Sequence, residues 1–469
     1  MHARKFNSGI EEYKYFLLNY LLPIIGISYN NNLLEIDDEN HHSGTFIRQE
    51  TNQIIFSAFD RDVFSLQSKQ ILSNDAIALG RKIIPAFFSV SRFKMSGSFR
   101  ARNIDYPSDV IHEENLRHAI QKGVCDWCLG TDNSSFYCLL QILEQWAVQT
   151  YEGKKVTFGF IINPNSCASF AKDYYGTWMD FLKDDYAATL SDCIHSAIEL
   201  DKECNFSRYL SITDGNSVDA YTLPNLLPYR FAPIIEKYVK GSCVGVFLLN
   251  NGDIILSKSR SICLIKRNLK WLNLSYNAFN NALRAKLDSN KSFEISDELL
   301  QQVYASTLDV SFSHTGGIIA VVAGVSDLLE TRSEKPVLNA CDNLLNIQSL
   351  EEIESSIKAD QSNKGLSNQE INKRLLKRKA IISLVGGKKF SEIDRKLRAE
   401  LISMDGACIL DSKGEVCAFG AIIQNDSGSS GGGRSAAAKK LSYHGMAVKI
   451  STDGYMELYV DGEPIYAIK

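Results

Sequence analysis

The sequence predicts an α/β protein of more than one domain, in which a mixed α/β region precedes a C-terminal mixed sheet flanked by helices. The chain's 469 residues exceed the range over which one core keeps growing, roughly 250–300 residues. Segments with apolar residues at helical spacing alternate with short unbroken apolar runs of strand length. From about residue 405 the chain breaks into short apolar runs separated by Asp-Gly turns. The composition, 45% hydrophobic and 23% charged, is ordinary for a globular protein. A formal net charge of -4 supplies no global attraction to nucleic acid or to an anionic bilayer, so neither is expected as a partner.

The first apolar stretch, residues 16–27, is broken by Asn19, Pro23 and Gly26 and is too short to span a bilayer. It lacks the basic flank and small-residue cleavage site of a signal peptide, and reads as a buried helix ending near Pro23. A cytoplasmic location follows as the expectation. The 11 cysteines fit a reducing compartment better than a disulfide framework, because most sit in apolar segments, among them Cys243, Cys263, Cys408 and Cys417.

Residues 1–240 read as mixed α and β. Asp132-Asn133-Ser134 introduces a helix with Leu139, Leu140, Leu143, Trp146 and Ala147 on one side. Residues 156–162 read as a buried strand stopped by Pro164, and residues 170–200 as a second helix. Residues 241–289 are expected to hold a β-hairpin, with 244–249 and 254–256 joined through Asn250-Asn251-Gly252-Asp253, and a connecting segment. Lys258, Arg260, Lys266, Arg267 and Lys270 lie near Trp271 and Tyr276; the reading preferred over a nucleic-acid surface is a sheet face with core aromatics.

The third segment, 290–469, opens with a helix from Ser296 carrying Leu299, Leu300, Val303 and Tyr304, followed by a strand over 317–323. Residues 325–366 are polar, with no single periodic face. A helix restarts at Ser367, with Glu370 completing a capping box, and runs through Leu375, Leu376 and Ile381 to Gly386-Gly387. Ser391 is expected to open another helix with Ile393, Leu397 and Leu401 inward. Strands are expected over 407–410, 416–423, 447–450, 455–460 and 465–468. The turns between them are Asp411-Ser412-Lys413-Gly414, Asp453-Gly454 and Asp461-Gly462.

Two patterns in this segment can carry chemistry. Asp405-Gly406-Ala407 puts a carboxylate at a strand edge, with a glycine that lets a ligand approach the backbone. Gly431-Gly432-Gly433-Arg434-Ser435 leads into the alanine-rich run 436–438, followed by Lys439 and Lys440. Backbone N–H groups at such a helix start, with one arginine, make an anion site. Taken singly, the first pattern is common as a turn and the second as a linker. Elsewhere, Cys125 and Cys128 form a lone CxxC with His112 and His118 upstream, which reads as a structural pair more readily than as a metal site. His314 reads as a structural residue more readily than as a ligand contact.

In order and surroundings these elements resemble the diadenylate cyclase domain, which joins two ATP molecules into cyclic di-AMP. The resemblance covers about the last 180 residues, and nothing before about residue 290 resembles a known family. Asp405, Gly406 and Ala407 match the family's Asp-Gly-Ala motif, whose aspartate sits by the ribose and metal. Gly432 matches the glycine and Arg434 the first arginine of its Gly-Thr-Arg-His-Arg loop; Ala437 and Ser442 match the trailing pattern, and Ser451 the start of the last motif. Gly433 replaces the threonine, Ser435 the histidine and Ala436 the second arginine, while Met404 stands where some members have a metal-binding histidine. Thr452-Asp453-Gly454 is a shortened version of the final Glu-Glu-Thr-Gly stretch.

The resemblance is to the sensor branch of that superfamily, associated with bacterial signalling or defence. It implies binding of ATP or a dinucleotide through Asp405, Gly406, Ala407, Gly432, Gly433, Arg434, Ser435, Ser451 and Asp453, with Mg²⁺ or Mn²⁺ accompanying the nucleotide at Asp405. The rival readings are an active, metal-dependent nucleotidyl cyclase with Asp405 as its catalytic carboxylate, and an interaction module without nucleotide binding. A homo-oligomer is expected in the cyclase case, since that chemistry needs two domains face to face.

Overall fold

The computed structural model describes residues 9–27, 33–38, 46–58, 61–90, 109–130, 134–151, 154–166, 196–204, 206–211, 232–287, 293–329, 337–338, 344–345, 351, 355, 367–385, 387–423 and 432–468. It is an α/β protein whose chain divides into two compact units, Met1–Ala282 and Leu283–Lys469.

The first unit holds two large sheets. Strands β1 (Leu33–Asp38), β2 (Ile47–Glu50), β3 (Gln53–Ala58) and β4 (Arg61–Gln67) form an antiparallel sheet in the order β1-β4-β3-β2. The short pair β5 (Thr150–Tyr151) and β6 (Lys154–Lys155) stands apart from it. The second large sheet contains β7 (Phe158–Ile162), β8 (Ser196–Leu200), β9 (Phe206–Ser211), β10 (Val244–Leu248), β11 (Ile254–Lys258), β12 (Ser261–Arg267) and β13 (Lys270–Asn273). Its order is β13-β12-β11-β10-β7-β8-β9, with only β7 and β8 parallel.

The hairpin expected at 241–289 is thus part of a larger sheet, because β10 pairs with β7 as well as with β11. The helix expected over 170–200 lies mostly outside the described residues; its last five positions are instead β8, whose Ile198 and Leu200 are buried beside β7. The helix Ser134–Trp146 buries Leu139, Leu140 and Leu143, as its periodicity requires. The N-terminal helical run ends at Ile24 and passes through a π-turn at Leu17–Leu21 just before Pro23. That irregularity accommodates the missing N–H of proline. No described helix is long and apolar enough to cross a membrane.

Two cations of the basic stretch, Lys266 and Arg267, are internal, whereas Arg260 and Lys270 are exposed. Lys266 is buried and donates to Glu144 and Gln121, and burial pulls its amine below the ordinary lysine range while Glu144 works against that shift. Arg267 donates through Nε and Nη2 to Oδ2 of Asp253 at 2.9 and 2.5 Å. These charges are matched inside the protein.

The second unit is built on six strands: β14 (Gly317–Val322), β15 (Ala407–Asp411), β16 (Val416–Ala421), β17 (Gly445–Ile450), β18 (Met456–Val460) and β19 (Glu463–Ile468). Their order is β16-β15-β14-β17-β18-β19; β14 and β15 are parallel and the other neighbours antiparallel, so this is the expected mixed sheet. The central strand β14 is apolar on both faces because both are covered. Ile318, Ala320 and Val322 join Ala437, Ala438 and Leu441 of the helix Gly432–Ser442 in one core. Ile319 and Val321 point to the opposite face, against which the helices Asp297–Ser313 and Arg395–Ile402 pack.

Ser296 caps the first of those helices by accepting from the N–H of Leu299. The second starts later than expected. Phe390–Glu392 is a 3-10 turn, and Asp394 is the cap, accepting from the N–H groups of Lys396 and Leu397. Its buried face is Arg398, Leu401 and Ile402, with Leu397 only half-buried. The capping box at Ser367 and Glu370 is present and opens the helix Asn368–Val385.

Candidate functional site

The start of β14 is where the two sequence patterns meet. Ile319 stands opposite Cys408 in the parallel ladder, and the same register carried back puts Gly317 level with Gly406 and Gly316 level with Asp405. The spacing between such neighbours is about 4.8 Å. On the other side of β14, Gly317 pairs with Ile450, the last residue of β17, so the Ser451–Gly454 turn lies at the same sheet end.

The helix Gly432–Ser442 brings Arg434 to this end. Its alanines let the helix lie close on the sheet, with Ala437 and Ala438 buried and the first turn exposed. A Cβ built on Gly316 would lie 3.0 Å from Nη1 and 3.3 Å from Cζ of Arg434, and 3.1 Å from the backbone N of Thr452. The guanidinium therefore lies over Gly316, beside the Thr452 turn and about one strand spacing from the level of Asp405. Among the described residues no acidic side chain forms an ion pair with Arg434. Among the described residues a Cβ on Gly432 or Gly433 would meet nothing within 4 Å.

Asp405 is exposed at the end of a short loop from the helix Arg395–Ile402. That loop is tied to the start of β14 by a hydrogen bond of 2.6 Å between the hydroxyls of Ser403 and Thr315. Gly406 is held at φ +108° against Gly420, and Ala407 is buried in β15 opposite Ala421. Asp453 is exposed in the turn after β17, while Ser435 and Met404 are half-buried. The Ser451 hydroxyl is used locally, accepting from the N–H of Tyr455 at 3.2 Å.

Two lysines offered by the sequence lie elsewhere. Lys439 and Lys440 are in the last turn of the helix, whose first turn carries Arg434. Lys439 acts on Glu463, which pairs with Val460 of β18; Val460 in turn pairs with Met446 near the beginning of β17. That is the far end of the sheet. The cation that the fold does bring near Asp405 is Lys377, whose Nζ donates to the carbonyls of Asp405 at 3.5 Å and Gly420 at 3.4 Å. Nothing in the local sequence marks it, since it is one of five cations on the helix Asn368–Val385.

His314 ends the helix Asp297–Ser313 in a left-handed conformation, φ 53°, and has a structural part there. Cys125 and Cys128 are buried in the helix Asp109–Leu129, and burial pushes both thiols above their ordinary range. His118 hydrogen-bonds Tyr137, while the side chain of His112 is outside the described residues. Among the described residues no three His, Cys, Asp or Glu side chains cluster as metal ligands.

No family model, characterised protein or solved structure matches this chain.

Proposed function

We propose that the C-terminal unit is a nucleotide-binding sensor domain, a degenerate relative of the diadenylate cyclase domain, serving nucleotide signalling or defence. It holds ATP or a dinucleotide through Arg434 on the phosphates and Asp405 near the ribose. The observation that carries this reading is the position of the Arg434 guanidinium over Gly316, one strand away from the Asp405 loop and beside the turn at Thr452. Residues separated by a long stretch of chain share one sheet end, with the exposed first turn of a helix beside them.

Asp405 is a single carboxylate, and that donor set fits Mg²⁺ or Mn²⁺ carried mainly by phosphate oxygens and water, with Asp405 as a protein ligand. Such a cation supplies charge neutralisation to the phosphates when bound. A dedicated all-protein metal site does not fit these residues.

Binding without efficient turnover follows from the cation count. Joining two triphosphates head to tail requires several donors aimed at the charge that develops on the phosphates. Ser435 and Ala436 replace two of them, and Lys439 and Lys440 are at the wrong end of the sheet to substitute. Loss of one such donor typically costs about 100- to 1,000-fold in rate.

The test is calorimetry of the full chain with ATP and with cyclic di-AMP, in the presence of Mg²⁺ or Mn²⁺. Arg434→Ala is expected to weaken binding by about 10- to 100-fold, the value of one charge-assisted hydrogen bond. Unchanged affinity would put the phosphates elsewhere. Chromatography of an ATP incubation is expected to yield little or no cyclic dinucleotide. Abundant product that disappears in Asp405→Asn would make the protein a cyclase.

A further inference from the structure

We infer that Lys377 is the second phosphate-binding cation of this site, and that the site is arranged for the polyphosphate of a nucleoside triphosphate. The inference rests on the nucleotide-binding reading above and extends it to a residue that no motif contains.

A triphosphate carries several negative charges, and Arg434 alone leaves most of them to water and counter-ions. Lys377 is held at the same sheet end by another element, the helix Asn368–Val385. That helix carries five basic residues against a single acid, Glu370. The Lys377 amine reaches the carbonyls of Asp405 and Gly420 at 3.5 and 3.4 Å. Both distances are longer than the ordinary N–H···O range of about 2.7–3.2 Å, so these contacts orient the amine weakly. Among the described residues it has no carboxylate partner. An ammonium has three donors, and a phosphate oxygen can replace either carbonyl.

Gly420 makes room for this arrangement. It adopts φ +62°, and a Cβ there would lie 2.9 Å from the Lys377 Nζ and 3.1 Å from the Asp405 carbonyl oxygen. The lysine therefore depends on a glycine at the end of β16, much as Arg434 depends on Gly316 before β14.

The two cations flank the Asp405 loop. Lys377 spans the gap between β15 and β16, and Arg434 the gap between β14 and β17. These gaps are two strand spacings apart, about 10 Å. A single phosphate touches one of the two groups; an extended polyphosphate can touch both, with Asp405 between them near a phosphate-borne cation.

The experiment compares ATP, ADP and AMP, each with Mg²⁺, by calorimetry on the full chain and on Lys377→Ala, Lys377→Met, Lys377→Arg and Arg434→Ala. Lys377→Ala and Lys377→Met are expected to weaken ATP about 10- to 100-fold, leave AMP within about twofold, and flatten the salt dependence of ATP binding. Lys377→Arg is expected to retain most of the affinity. Wild-type ATP affinity in Lys377→Met would overturn the inference while leaving the role of Arg434 standing. An equal loss for ATP and AMP, with a lower Tm, would reduce Lys377 to a support of the Asp405 and Gly420 carbonyls and overturn it too. Absence of nucleotide binding by the wild-type chain would remove the underlying reading itself.

Discussion

Gly406→Ala separates the structural demand on the Asp-Gly-Ala loop from any demand made by a ligand. At φ +108° an alanine is in a backbone region that L-residues rarely adopt, and such strain costs about 1–3 kcal/mol. The new Cβ would lie 2.3 Å from the carbonyl carbon of Gly420, 2.6 Å from its oxygen and 2.7 Å from the oxygen of Ala421. All three are backbone atoms, so no rotamer change relieves the overlap, and forced overpacking costs about 1–3 kcal/mol more. The sum, about 2–6 kcal/mol, is a large part of the roughly 5–15 kcal/mol that holds a typical domain together. The adjacent Ala407–Ala421 pairing is where the ladder would give way first. Trp127, Trp146, Trp178 and Trp271 all precede Ala282, so tryptophan fluorescence does not report on the C-terminal unit. Hydrogen exchange over residues 407–421 does. The expectation is a loss of protection there, together with an earlier C-terminal unfolding transition by circular dichroism. Protection equal to wild type would show that the loop relaxes freely, and would refute the close Gly406–Gly420 approach on which the site geometry depends.

Gly433→Ala should do the opposite to stability. Among the described residues its Cβ meets nothing within 4 Å in a helical position, so the C-terminal unit should gain up to about 1 kcal/mol in denaturant unfolding; lower stability would mean the helix does not begin there. In the first unit, Asp253→Ala strips the carboxylate from Arg267, whose side chain is only 3% exposed, and should cost about 3–5 kcal/mol by fluorescence-monitored unfolding. A loss under 1 kcal/mol would mean that solvent reaches the guanidinium. Arg398→Met should be neutral or stabilising in a thermal melt, because among the described residues Nε and Nη1 of this buried arginine have no hydrogen-bond partner and its guanidinium rests on the Phe390 ring at 5.0 Å. A large drop in Tm would reveal an anion satisfying that charge.

Much of the C-terminal fold was legible because local rules and tertiary demands agree there. The apolar run of β14 reads as a strand, and the Asp411, Asp453 and Asp461 turns carry the residues such turns need. In the first of them, Oδ1 of Asp411 accepts from the N–H groups of Lys413 and Glu415. Ser296 and Ser367 were readable as helix caps because a cap is decided within three residues. Ser391 misled for the same reason: a 3-10 turn satisfies the local pattern, and the helix waits for Asp394. The inward face that follows contains Arg398, which apolar periodicity cannot foresee. The strand β8 was hidden because its Ile198 and Leu200 are buried beside β7, a parallel partner more than thirty positions earlier in sequence.

The site divides along the same line. The carboxylate loop and the glycine-arginine helix start were visible as separate local signals, but their meeting depends on the parallel register of β14 with β15 and on Gly316. Charge is the part that sequence order misrepresents most. Lys439 and Lys440 follow Arg434 closely in the chain, yet five residues of helix, about 7.5 Å of rise, carry Lys439 away from it. Lys377 lies 28 positions before Asp405 and is hydrogen-bonded to its backbone carbonyl. A count of cations along the sequence therefore overstates the charge beside Arg434 and understates it beside Asp405. The order of affinities for ATP, ADP and AMP in Lys377 and Arg434 variants depends on that spatial count.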